Sequence, residues 1–158
     1  MKRFQIQRGG IRLPHTLLVL VAAAVMVMAA SMAFAATQEF TNFTLDIPDG
    51  WTAKEDSPSV VVTKNDDPTV ALNVTLDALQ GGDTYVDFAN KLAEYLKGTK
   101  PEVDAEGDCI FKAPDGNGGE AICLVRGNDS VYLYFLAAGM DKEGETLAAI
   151  MDSISLKQ

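Results

Sequence analysis

Three groups of residues in this 158-residue chain have types and spacing that could do chemistry: a cysteine pair, a run of alternating acids and a glycine-rich turn. Cys109 and Cys123 are the only thiols. Redox-active dithiols sit close together, as Cys-x-x-Cys, where a helix N-terminus or a base lowers one pKa. Here thirteen residues intervene and acids dominate the surroundings. Outside the cytosol an even pair is usually a structural disulfide, and that is the expectation. The flanks Cys109-Ile110-Phe111-Lys112 and Ala121-Ile122-Cys123-Leu124 read as strands around Ala113-Pro114-Asp115-Gly116-Asn117-Gly118-Gly119. A register whose partner numbers sum to 232 sets Cys109 opposite Cys123 and Lys112 opposite Glu120, an opposite-charge pair. Closing that loop stabilises the fold by about 3 kcal/mol in the chain-entropy model.

Glu102, Asp104, Glu106 and Asp108 alternate with Val103, Ala105 and Gly107. On a strand, period 2 puts four carboxylates on one face, which suits either a solvated edge strand or a docking strip for a basic partner or divalent ion. Asp115-Gly116-Asn117-Gly118-Gly119-Glu120 offers oxygen ligands beside flexible glycines. It lacks the full ligand run and the twelfth-position glutamate of an EF-hand, so a hairpin tip is expected and no metal ligand is assigned. Asn65-Asp66-Asp67 and Asp49 are explained by turn chemistry. Trp51, Tyr85, Tyr95, Tyr132 and Tyr134 could line a ligand pocket, but aromatics at strand and helix spacing favour core. Three glycosylation-type triplets begin at Asn42, Asn73 and Asn128; the leader described next looks bacterial, so they read as chance matches.

Charge and order at the N-terminus give an address. Residues 1–35 hold Lys2, Arg3, Arg8 and Arg12, no acids, and the only histidine, His15. An apolar run from Leu17 to Met32 follows, then Ala33-Phe34-Ala35-Ala36. This is the pattern of a signal peptide over residues 1–35, cut after Ala35, with Ala36 as the neighbouring alternative. The apolar run is only slightly shorter than the ~20 residues that span hydrocarbon, so an uncleaved N-terminal anchor is the competing reading. No cysteine stands near the junction, which excludes a lipoprotein anchor. Export is expected, to the periplasm, with secretion or anchoring as alternatives.

From Ala36 onward there are 9 bases and 22 acids, a formal −13. Nucleic acid is excluded as a partner, because a phosphate backbone needs Lys and Arg to displace its counterions. Without histidine, residues 36–158 hold no Ser-His-Asp or Cys-His arrangement and none of the usual zinc sites. There is no Gly-x-Ser-x-Gly elbow and no phosphate-binding glycine loop with a lysine. A carboxylate-based hydrolase or a calcium-dependent enzyme stays open as the alternative, since acids abound.

Positioning these groups falls to one α+β domain over residues 36–158. Phe43, Leu45 and Ile47 alternate with polar residues, the period of a half-buried strand. Pro48-Asp49-Gly50 turns the chain and Trp51 starts a return strand. Strands are expected at 59–64 and 70–76, and a helix at about 84–97. Asp83 or Thr84 caps it, with Asp87 three residues after Thr84 as in a capping box; Tyr85, Phe88, Ala89, Leu92, Tyr95 and Leu96 form its apolar stripe; Gly98 forms its stop. The cysteine hairpin follows, then a run over 130–138 that is apolar on both faces and therefore central. A last helix covers about 141–154, with Leu147, Ile150, Met151 and Ile154 on one face. The expected fold class is a mainly antiparallel β-sheet flanked by two helices.

Phe43-x-Leu45-Asp46-Ile47-Pro48-x-Gly50-Trp51, the mid-chain helix, the strand meander and the closing Leu147…Ile150-Met151…Ser153-Ile154 helix together resemble the PsbP/Mog1-like superfamily. Within it the chain is most similar to the small exported bacterial, DcrB-like branch, over about residues 40–156. The resemblance implies an α-β-α sandwich used as a non-catalytic binding or assembly module. It implies no cofactor and no catalytic residue, and its partners differ between branches, a photosystem in one and a small nuclear GTPase in another. A protein partner in the cell envelope is therefore expected, with membrane contact only through an uncleaved leader. A role in envelope stress or structural support, without a specific ligand, is a third possibility. The cysteine pair is not part of the family pattern.

Overall fold

A computed structural model describes residues 35–157. The expected leader, its anchor alternative and His15 lie outside the described residues. The elements run β1 (Ala36–Glu39), β2 (Phe43–Ile47), β3 (Trp51–Asp56), β4 (Ser59–Lys64), β5 (Ala71–Ala78), α1 (Tyr85–Leu96), β6 (Glu102–Val103), β7 (Cys109–Pro114), β8 (Glu120–Gly127), β9 (Val131–Ala138), α2 (Met140–Asp152) and β10 (Ser155–Leu156). Seven strands form one antiparallel sheet in the order β3-β4-β5-β9-β8-β7-β6, with β9 at its centre. A second sheet, β1-β2-β10, pairs the first and last segments of the described chain. The architecture is α+β, a mainly antiparallel sheet with two helices, as the residue pattern implied.

Trp51 does not return onto the preceding strand. β3 pairs β4 and β2 belongs to the small sheet, so the chain changes sheets at Pro48–Gly50. The alternation in β2 explains this: Phe43, Leu45 and Ile47 are all buried, and they stack on the large sheet rather than extending it. Val60, Val62, Leu72, Val74, Phe135 and Ala137 meet them from below, joined by Leu147 and Ile150 of α2. At about 25 cal/mol per Å² of apolar surface, this is the dominant stabilising layer of the molecule.

The opposite face of the sheet is covered only over β7, β8 and β9, by α1. Of the two expected caps, Thr84 rather than Asp83 caps α1. Its hydroxyl accepts from the Asp87 amide at 3.2 Å, and the Asp87 carboxylate accepts from the Thr84 amide at 3.0 Å. The buried stripe centres on Ala89 and Ala93, small residues that let the helix approach Cys109, Phe111 and Cys123. Tyr95, expected in that stripe, is 82 % exposed. Lys97, not Gly98, takes the left-handed cap position. Gly98 is needed for another reason: a Cβ there would stand 2.5 Å from the Lys112 carbonyl oxygen.

Two further expectations are corrected by the hairpin and the acidic segment. The β7–β8 partners sum to 234, so Cys109 faces Val125 and Cys123 faces Phe111. The ladder runs on to the Pro114–Glu120 pair and the Asp115 amide donates to the Gly119 carbonyl, so the turn is centred on Asn117 rather than on Gly116. The cysteines are diagonal neighbours on one face, both buried and both free thiols. The pair is therefore not directly opposite, as the expected register would have placed it. The acidic segment is a strand only at Glu102–Val103. Beyond it, Gly107 takes φ +92, and the Asp104 carboxylate accepts from the Glu106 and Asp108 amides at 3.0 and 2.8 Å. Aspartate and glycine favour such a turn over a ladder, so the four carboxylates do not share a face.

Candidate functional site

A groove of about 590 Å³ lies between the β7–β8 hairpin tip and the start of α2. Three segments remote in sequence build it: the turn before β5, the hairpin tip with Lys112 and Ile122 below it, and Gly139–Lys142.

Each wall has a local cause. At the hairpin tip the Asp115 carboxylate accepts from the Asn117 and Gly119 amides at 2.7 and 2.8 Å, and Gly116 and Gly118 take positive φ. The glycine-rich loop is thus a side-chain-held turn, the hairpin tip expected from its residues. Lys112 and Glu120 form an ion pair at 3.0 Å across the strands, diagonal neighbours in the observed register. Gly139 begins α2 at φ +78, with no side-chain cap. A Cβ there would meet Val70 Cγ2 at 2.8 Å, so glycine alone lets the helix start against the sheet.

Asp67, Thr69 and Lys142 form a closed set at the groove's third side. The Asp67 carboxylate accepts from the Thr69 hydroxyl and amide and, at 2.9 Å, from the Lys142 ammonium. Lys142 also donates to the Thr69 hydroxyl at 3.0 Å. The Thr69 hydroxyl, with Lys142, holds the Asp67 carboxyl down at about 2. Asp67 in turn raises the Lys142 ammonium, with smaller contributions from Asp141 and Asp115. A hydroxyl bonded to a carboxylate could suggest a nucleophile and its base. A carboxylate at about 2 is far too weak a base for neutral pH, where the effective pKa lies near the working pH. The set fixes geometry, and Asp115 and Asp141 are the groove-lining carboxylates outside its ion pairs.

The other sequence candidates lie elsewhere. Asp108 pairs with Arg126 at 2.6 Å, and Asp104 is used up in its own turn, so only Glu102 and Glu106 of the acidic run stand exposed. The Tyr85 phenol donates to the Gly107 carbonyl at 2.9 Å, tying this segment to α1. Cys109 and Cys123 are sealed beneath α1; burial pushes the Cys123 thiol up to about 12 and raises Cys109 as well, the latter helped by Asp108 and Asp104. Thiols held protonated in this way are poor nucleophiles. Trp51 is buried in the main core, while Tyr132 and Tyr134 pack under α1, Tyr132 stacked on Phe88 at 3.8 Å between ring centroids. Among the described residues no three His, Cys, Asp or Glu side chains are grouped to hold a metal ion.

From the residues alone, the hairpin tip and Asp67 are oxygen clusters that turn chemistry explains, and Lys142, Asp141 and Thr69 carry no signal. The one available signal was Gly139, a glycine directly between an apolar strand and a helix. Nothing in the sequence joins Asp67 to Lys142, 75 residues away.

No protein-family model and no curated protein matches the sequence. Among solved structures, the fold is similar to that of cyanobacterial PsbP (CyanoP) from Synechocystis sp. PCC 6803. The TM-score is 0.51 at 13 % identity, covering 80 % of this chain and 95 % of that one. A protein from Bacteroides thetaiotaomicron is similar at TM-score 0.41 and 14 % identity, covering 73 % of this chain and 45 % of that one. At 13 % identity the first likeness is one of fold: the chain has a PsbP-like α+β fold.

Proposed function

We propose that this chain is an exported, non-catalytic binding or assembly domain of the PsbP type. It engages a protein partner of the cell envelope through the groove between the hairpin tip and α2. The observation that carries the reading is the state of the groove's charged groups. Lys112 is paired with Glu120 and Lys142 with Asp67, and the one hydroxyl–carboxylate couple has a carboxylate at about 2. Charges held in place by ion pairs present a fixed pattern, which suits recognition of a complementary surface. The likeness in fold to cyanobacterial PsbP supports the same reading, as does the sequence resemblance to the small exported, DcrB-like branch. With Asp115 and Asp141 beside it and a formal −13 over residues 36–158, the groove suits a basic segment of the partner.

The test is recovery of the full chain from its native envelope after cross-linking, wild type against Asp141→Lys. Asp141 lies at the groove wall and supports no core contact, so the variant keeps the wild-type circular dichroism spectrum. The proposal predicts a defined partner adduct for wild type and a several-fold loss for the variant. A chain recovered alone, or an adduct that the variant leaves unchanged, contradicts it.

A further inference from the structure

We propose that Asn117–Gly118, at the tip of the β7–β8 hairpin, is a site of spontaneous covalent modification that adds a negative charge to the groove as the protein ages. The Gly118 backbone nitrogen attacks the side-chain carbonyl carbon of Asn117. A carbon–nitrogen bond forms, the side-chain amide bond breaks, and ammonia leaves with the proton from Gly118. The resulting succinimide takes up one water at either carbonyl, giving aspartate or isoaspartate. Nothing is oxidised or reduced, and water is the only co-reactant.

Sequence and geometry single out this position. Of the six asparagines, Asn117 alone is followed by glycine, whose missing side chain leaves its nitrogen open to approach. Both residues are exposed, in a loop with Gly116 and Gly119 on either side. The Asp115 carboxylate takes the amides of Asn117 and Gly119 and skips the one between them. Among the described residues the Gly118 N–H donates to no group, so no hydrogen bond must break before attack.

The other asparagines are held. Asn65 accepts from the Thr52 hydroxyl, Asn73 lies within the β4–β5–β9 ladder, and Asn90 donates to the Val86 carbonyl in α1. The Asn128 side chain accepts from the Ser130 and Val131 amides, and Asn42 precedes the buried Phe43. Because Asn117 lines the groove, its conversion replaces a neutral amide with a further carboxylate in a lining that already sets Asp115, Glu120 and Asp141 against Lys112 and Lys142. The isoaspartyl product also lengthens the loop backbone by a methylene.

The test is incubation of the purified folded protein at mildly alkaline pH, followed by isoelectric focusing and peptide mapping. An isoform more acidic by one charge is expected to accumulate. The Asn117 peptide should split into asparagine, aspartate and isoaspartate forms before any other asparagine reacts. Asn117→Gln should abolish the acidic isoform, and the rate in the folded protein should match that of the urea-denatured chain. Absence of the isoform, its formation at another asparagine first, or reaction only after denaturation would each overturn the proposal.

Discussion

Asp67 is the most heavily committed side chain of the groove, taking two donors from Thr69 and one from Lys142. Its folded pKa, about 2, lies below the ordinary carboxylate value. The stabilisation it supplies is therefore complete above that ordinary value and is lost as pH falls through about 2. Asp67→Asn should be less stable than wild type at neutral pH, and the two unfolding midpoints should converge in strong acid. Urea titrations across the acid range check this, and a difference that persists below the folded pKa would contradict it. The thiols make a second residue-scale prediction. Cys109 and Cys123, buried and held protonated, should resist a maleimide reagent in the folded protein, and both should react once it is unfolded under non-reducing conditions. A chain with no reactive thiol even when unfolded would signify a disulfide, and with it a hairpin register shifted by two from the one seen.

At the scale of elements, the groove depends on where α2 begins. Gly139→Ala combines a left-handed backbone with a Cβ driven against Val70, and should cost about 2–4 kcal/mol. Gly116→Ala has a similar positive φ with open space around it, and should cost about 1–2 kcal/mol. Chemical denaturation of both variants separates steric fit from backbone conformation; equal losses would show that the contact with Val70 is unimportant. Much of the element order was legible from the residues, because β-branched alternation and a capping box are local signals. Thr84 with Asp87 located α1, and Val131–Ala138, apolar on both sides, located the central strand. What was not legible depended on pairing between segments. β1 and β10 are short, polar and exposed, and they exist as strands only because β2 lies between them. The hairpin register likewise turned on a backbone turn at Asp115, where a diagonal Lys112–Glu120 pair looks the same in sequence as a direct one.

For the whole molecule, the two faces of the large sheet are covered over different strands. The small sheet and α2 cover one face over β3, β4, β5 and β9, and α1 covers the other over β7, β8 and β9. That offset leaves the β7–β8 hairpin projecting past α2, and the groove is the space between them. A site made in this way gathers Thr69, residues between Lys112 and Ile122, and Gly139–Lys142, which explains why no motif announced it. The acidic run at 102–108, the clearest charged feature of the sequence, is instead largely absorbed by a turn, an Arg126 ion pair and the Tyr85 phenol. On the proposal above, the groove, rather than this run or the exposed helix face, meets a partner. Site-specific photo-cross-linking in the native envelope tests it most directly, with the probe placed in turn at Asn117, Asp141, Glu106 and Tyr95 of the full chain. One shared adduct is expected from Asn117 and Asp141 and none from Glu106 or Tyr95. An adduct from Glu106 or Tyr95 with none from the groove positions would contradict it.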